Sequence, residues 1–133
     1  DYAFLSCSGL EPEQVREVCD SMLRSGARAV VATMGGKGAM YADAAGEMIQ
    51  PPEWVEPVDT LGAGDSFAAA LLTALAPIGK PPKAGMEREL LRQALSGAAH
   101  FAAQCCLKKG AFGYGRDISD ERIKRAMADI IRL

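Results

Sequence analysis

Apolar positions along this chain switch between strand-like runs and helical spacing. Tyr2 to Ser6 is a short apolar run bounded by Ser8-Gly9, which predicts a buried strand. Pro12 suits the first turn of a helix, with Ser8 or Glu11 near its cap. Val15, Val18, Cys19, Met22 and Leu23 recur at helical spacing and give that helix one buried face, and Gly26 ends it. Ala29 to Thr33 reads as a second buried strand. Strand, helix, strand in this order predicts a right-handed crossover in a parallel sheet. Gly38 to Ala42 and Glu47 to Gln50 can pair as a hairpin across Ala44-Ala45-Gly46, and Pro51-Pro52 stops it. Val55 to Val58 leads into a turn of small residues, and a long apolar helix follows from about Gly64 to Ala76. Pro77 to Gly85 is a surface loop. Glu87 to Leu107 is a second long helix, rich in alanine. Ser119-Asp120 can cap a final amphipathic helix with Ile123, Met127, Ile130 and Ile131 on its apolar face. The fold class is α/β.

Composition narrows the function classes. A chain of 133 residues, 49% hydrophobic, is read as a single domain over 1–133 with ample core. The formal charge of -2 and the lack of a basic run argue against a nucleic-acid or membrane-surface partner. No apolar stretch is long enough to span a bilayer. Cys7, Cys19, Cys105 and Cys106 form no C-x-x-C pair, and His100 is the one histidine, so a zinc site and a disulfide framework both lack support. Buried free thiols in a cytoplasmic protein are the expectation. The chain begins with Asp1 and enters an apolar run at once, which suggests a fragment or a processed chain.

The chemistry concentrates in Asp59-Thr60-Leu61-Gly62-Ala63-Gly64-Asp65-Ser66, immediately before the apolar helix. Small residues at a helix start can aim several backbone N–H groups at one point, where the helix dipole adds positive potential. That arrangement holds a phosphoryl group without a cationic side chain. Asp65 stands where it can take a proton from an attacking hydroxyl. An aspartate at a helix start is otherwise a cap, and Gly-Ala-Gly otherwise an ordinary tight turn. The pattern points to phosphoryl transfer.

The D-T-x-G-A-G-D pattern resembles the signature of the PfkB carbohydrate kinases, the ribokinase-like family. Thr33-Met34-Gly35-Gly36-Lys37-Gly38 is similar to the family's T-x-G-x-x-G nucleotide loop, although a glycine-rich turn between strands needs glycine in any case. It lacks Walker A spacing, and Lys37 is read as solvated or touching a phosphate. Lys109-Gly110-Ala111 looks like the loop that closes the adenine and cation sites. The resemblance implies the C-terminal part of a three-layer α/β/α domain with a mostly parallel sheet, the sugar-binding and lid segments lying upstream. It implies an ATP-dependent kinase transferring the γ-phosphate to a sugar hydroxyl, with Asp65 as catalytic base and Gly62, Ala63 and Gly64 as anion hole. Thr33, Gly35, Gly38, Gly64 and Ala99 are the implied nucleotide-binding residues. Asp59, with the carbonyls of Leu61 and Gly110, is implied in potassium binding; Asp59 could instead only cap the turn. Gly97, Ala98, Ala99 and Ala102 offer a face flat enough for a purine, or simply allow close helix packing. His100, beside them, reads as structural.

Magnesium is implied as well, yet the family's N-x-x-E motif is replaced here by Ser6-Cys7-Ser8-Gly9. Either Glu11 or Glu13 substitutes, or the metal is held differently. This departure, together with Gly110-Ala111-Phe112-Gly113-Tyr114-Gly115, looks most like the fructoselysine 6-kinase branch, with a sugar or sugar-amine as small-molecule partner. The resemblance also implies a homodimer of the full-length protein. Two rivals stand beside the kinase: a non-catalytic nucleotide or sugar sensor, and a kinase fragment inactive on its own.

Overall fold

A computed structural model describes residues 1–75 and 86–111. Four strands and three helices occur among them: β1 (Tyr2–Ser6), α1 (Pro12–Arg24), β2 (Ala29–Thr33), a 3-10 turn (Gly35–Lys37), β3 (Ala39–Asp43), β4 (Gly46–Gln50), α2 (Ala63–Leu75) and α3 (Met86–Cys106). Both predicted strands β1 and β2 are found at their expected bounds; β2 is buried as expected, but β1 is only half-buried with Ser6 exposed, because among the described residues it pairs on one side only and forms a sheet edge. The two long helices begin and end one residue earlier than the sequence pattern placed them. The 77–85 loop, the 112–115 segment and the helix expected after Ser119 lie outside the described residues.

Local chemistry explains α1. Glu11 is its N-cap, with its N–H donating to Gln14 Oε1 at 3.0 Å, and Pro12 takes the first helical position. At the other end Gly26 has φ 100°, its N–H donates to Leu23 O, and the Ala27 N–H donates to Met22 O. This pair of bonds satisfies the last carbonyls in a way that only a left-handed residue permits.

The sheet order is β1-β2-β3-β4. β1 and β2 run parallel, with Phe4 opposite Val31. The other two pairings are antiparallel: β3 with β4 is the expected hairpin, and β3 also pairs with β2 across the 3-10 turn, so the sheet is mixed among the described residues. The hairpin strands extend one residue further toward the turn than predicted. Asp43 is the reason: its Oδ1 accepts the Ala45 N–H at 2.9 Å and folds the turn tightly. Its Oδ2 accepts from Tyr41 Oη at 3.1 Å and from Arg88 of α3 at 3.4 Å, which ties the closed end of the hairpin to a helix.

Strand alternation divides the core in two. Val30, Ala32, Met40 and Ala42 face α1 and pack with Val15 and Cys19. Ala29, Val31, Ala39 and Tyr41 face the other way, onto Phe67, Leu71, Leu91 and Leu95 of α2 and α3. The result is the three-layer α/β/α arrangement, and it explains why β2 is apolar without interruption: both of its faces are covered. The described cysteines are all free thiols, and burial pushes Cys19 up to about 11, far from thiolate chemistry. Among the described residues no helix is long and apolar enough to cross a membrane.

Candidate active site

The nucleotide-loop candidate grows from the end of β2. After Thr33 the chain makes the 3-10 turn, which the Met34 N–H closes onto Gly38 O at 2.8 Å. Gly38 has φ 93°, and a Cβ there would lie 2.1 Å from Gln50 O and 3.0 Å from Pro52 N. The hairpin's far end therefore presses directly on the loop, and only glycine fits between them. Lys37 turns away from the loop's interior. Its Nζ reaches Glu11 Oε1 at 2.8 Å and Leu10 O at 3.4 Å, strapping the turn to the start of α1. Glu11, one of the two carboxylates considered for magnesium, is thus occupied by Lys37, while Glu13 is exposed on the first turn of α1.

The signature segment forms a second loop. Asp59 Oδ1 accepts the Leu61 N–H and Oδ2 accepts the Gly110 N–H, both at 2.9 Å. The structure thus brings together Asp59, Leu61 and Gly110, the three residues singled out for a cation. The Leu61 and then the Gly110 N–H hold the Asp59 carboxyl below the usual carboxylate range. The Val58 and Asp59 N–H groups both donate to Cys106 O, which docks the segment on the end of α3. Gly62, with φ 80°, turns the chain into α2, and its carbonyl accepts the Ser66 N–H at 2.8 Å. The Ala63 N–H is directed to Thr60 O at 3.2 Å. Gly64 and Asp65 follow in the first turn, where backbone N–H groups have no intrahelical acceptor. Asp65 is exposed and makes no hydrogen bond or ion pair among the described residues. Ser66, by contrast, is fully buried with an unpartnered hydroxyl.

The two loops meet. A Cβ on Gly64 would stand 3.7 Å from Thr33 Oγ1. Around this contact lies a cleft of about 620 Å³. Thr33, Gly35, Gly38, Ala63, Gly64 and Ala99 line it. Asp65, Gly62, Asp59, Leu61 and Gly110 are not part of its lining. The small-residue face of α3 is split: Ala99 and Ala102 border the cleft, Ala98 is buried in the core, and Gly97 is exposed. One wall was not foreseen. It is the irregular segment 51–57, contributing Pro51, Pro52, Glu53, Trp54, Val55 and Pro57. Only its prolines signal in sequence that the chain leaves the sheet there.

Asp59 gives the site a pH signature. Its carboxyl is held down in the folded state, so the contribution to stability is present above the ordinary carboxylate pKa of about 3.9 and lost as pH falls through the lowered folded value. Asp59→Asn is expected to be less stable than the parent at pH 7, with the gap closing toward pH 2 in parallel urea titrations. A gap that stays constant with pH would remove the charge from the explanation.

The sequence matches the pfkB family carbohydrate kinases over residues 3–113, and the chain belongs to that family. It is similar to fructosamine kinase FrlD of Bacillus subtilis (strain 168), with 39% identity over 116 residues that span 86% of this chain and 37% of that protein. It is also similar to fructoselysine 6-kinase of Escherichia coli (strain K12), with 40% identity over 72 residues, 54% of this chain and 27% of that protein. Both relatives fall in the branch that the sequence resembles. Among solved structures it resembles aminoimidazole riboside kinase from Salmonella enterica, complexed with aminoimidazole riboside and an ATP analog. There the TM-score is 0.66 and the identity 28%, over 84% of this chain and 37% of that one. The fructokinase from Vibrio cholerae O395, in its fructose-, ADP- and calcium-bound form, gives a TM-score of 0.66 at 26% identity, over 84% and 36% of the two chains. The ribokinase-like fold follows from these neighbours. This chain spans little more than a third of the length of the fructosamine kinase, 37%.

Proposed function

We propose that this chain carries the nucleotide site and the catalytic base of an ATP-dependent sugar kinase. The observation that supports this most is the contact between the two loops: Gly64, beside the exposed and unpartnered Asp65, meets Thr33 at the rim of a single cleft. The nucleotide lies along Thr33, Gly35, Gly38 and Ala99, with its phosphates toward Gly64. The sugar hydroxyl oxygen attacks the γ-phosphorus, the bond to the β-phosphate oxygen breaks, and ADP leaves. Asp65 takes the hydroxyl proton. Charge spreads over the peripheral phosphoryl oxygens in such a transfer, so catalysis is positioning and electrostatics. The N–H groups of Gly62 and Gly64 serve that charge, each worth about 3 kcal/mol by analogy with oxyanion holes, whereas the Ala63 N–H is taken by Thr60 O at 3.2 Å.

Asp59 and the carbonyls of Leu61 and Gly110 offer a set of hard oxygen donors that suits potassium. The Asp59 carboxylate uses two of its roughly four acceptor positions on backbone N–H groups, and the others remain for a cation. A potassium ion there would add positive potential beside the anion hole. Among the described residues no cluster of three His, Cys, Asp or Glu side chains could hold a metal ion. Magnesium, which is usually held by phosphates with one or two carboxylates, is assigned to the nucleotide phosphates and not to Glu11, which Lys37 engages at 2.8 Å.

Fructoselysine or a related sugar-amine is the proposed acceptor, supported by the names of the two curated relatives. The test is ADP release by the chain together with any sequence that flanks it, with ATP, magnesium and potassium. The panel is fructoselysine, fructose, ribose and 2-keto-3-deoxygluconate. Turnover with fructoselysine alone is the expected result. Turnover with another sugar would overturn the branch, and bound ATP with no turnover on any sugar would favour the sensor.

A further inference from the structure

The 51–57 wall of the cleft has no regular secondary structure and carries three prolines, Pro51, Pro52 and Pro57. Among the described residues one polar contact ties this segment to an element other than the adjoining β4, where Gln50 Nε2 donates to Pro51 O at 2.9 Å. Glu53 Oε1 and Oε2 each lie 2.9 Å from Nδ1 of His100, on α3. Glu53 belongs to the cleft lining, and His100 follows directly on Ala99, which also lines the cleft. The pair therefore bridges two walls at the rim. From these contacts we infer that Glu53 and His100 form a clasp that positions the 51–57 wall against the base end of a bound purine nucleotide. This rests on the reading of the cleft as a nucleotide site.

The physical case is one of preorganisation. Prolines fix φ along much of the wall and leave few torsions free. One contact to a rigid helix then suffices to hold the remainder, so a ligand need not order the wall when it binds. The pair is exposed, His100 with a side-chain accessibility of 61% and Glu53 of 43%, and an exposed side-chain pair adds little to global stability. Its effect should appear in binding and not in unfolding. His100 follows Ala99, which with Ala102 lines the cleft and offers the face assigned to the purine, while the phosphates are assigned to Gly64. The clasp therefore acts on the base and not on the phosphate chain. His100 is a positioning residue here, since it need not touch the nucleotide itself.

Trp54, the neighbour of Glu53, is 83% exposed and is the one tryptophan of the chain, which makes its emission a reporter of the wall. The test is calorimetric titration of the full chain and its variants with ADP and, separately, with inorganic tripolyphosphate, each with magnesium, while Trp54 emission is followed. His100→Ala is expected to weaken ADP three- to tenfold and leave tripolyphosphate unchanged. It should also red-shift or broaden the emission of the ligand-free protein, and keep Tm within about 2 °C. His100→Asn, which keeps a donor near the Nδ1 position, should restore ADP affinity; Glu53→Gln on the His100→Ala background should add no further loss. ADP affinity unchanged in His100→Ala would overturn the clasp while leaving the nucleotide site standing. Equal losses for ADP and tripolyphosphate would overturn it too, by placing the effect on the phosphates. Parent protein that binds neither ligand would remove the nucleotide site itself, and the clasp with it.

Discussion

Asp65→Asn lowers kcat by about 10²–10⁴-fold while ADP affinity changes less than twofold: this is the expected outcome if Asp65 is the base. The substitution conserves size and leaves an oxygen near the helix start, so a capping role would survive it. What it removes is the ability to take a proton. Asp65 is exposed and has no hydrogen bond or ion pair among the described residues, so the folded state should hardly register the loss. An unchanged Tm beside a collapsed kcat would separate catalysis from stability in a single variant. Its place in the first turn of α2 puts it next to N–H groups that attract anionic oxygens, and a base there is held close to the charge that develops. Steady-state ADP release with the acceptor that emerges from the sugar panel is the measurement. A variant retaining parental turnover would remove Asp65 from the mechanism and favour a cap.

Gly38→Ala carries the second large effect, and it acts on structure first. The new Cβ would sit 2.1 Å from Gln50 O and 3.1 Å from the Pro51 carbonyl carbon. Both neighbours are backbone, so no flexible side chain can move aside. The positive φ of 93° adds strain for any residue with a Cβ. Strain of about 1–3 kcal/mol and overpacking of about 1–3 kcal/mol together give a loss of about 2–6 kcal/mol. Denaturant titration of parent and variant reads it directly. A loss under about 1 kcal/mol would mean that the loop shifts freely. Gly36, whose added Cβ would meet nothing within 4 Å, is the control: Gly36→Ala should be tolerated. Glycine at position 38 is thus required by the hairpin whether or not a nucleotide ever binds.

Gly38 also shows where sequence reading stops. Its motif was legible, and so was its position after a buried strand, but the reason for glycine lies in Gln50 and Pro51, on a different strand and beyond it. β2 was legible to the residue because continuous burial leaves a continuous apolar run, and β1, only half-buried with Ser6 exposed, was legible from its apolar run and the Ser8-Gly9 turn that bounds it. The two cores were legible in outline because strand alternation and helical spacing are periodic. Contacts between remote polar residues have no period. The strap from Lys37 to Glu11, the anchor from Asp43 to Arg88 and the pair of Glu53 with His100 each join side chains whose separation in sequence carries no signal. The signature, by contrast, announced its small residues and carboxylates together. What it did not announce was that Asp59 would spend its carboxylate on the Leu61 and Gly110 N–H groups, since backbone donors have no letter in a sequence.

The two sides of the cleft hang from unequal supports. The Thr33 loop leaves β2, whose first four residues are fully buried between two layers, and displacing it means opening the centre of the sheet. The 51–57 wall leaves β4, the largely exposed last strand of the described sheet. Segments of the second kind open locally at far lower free energy than segments of the first. A molecule entering the cleft would therefore meet one side whose resistance is that of the core and another whose resistance rests on the Glu53–His100 clasp, and any widening of the cleft would begin at the strand edge.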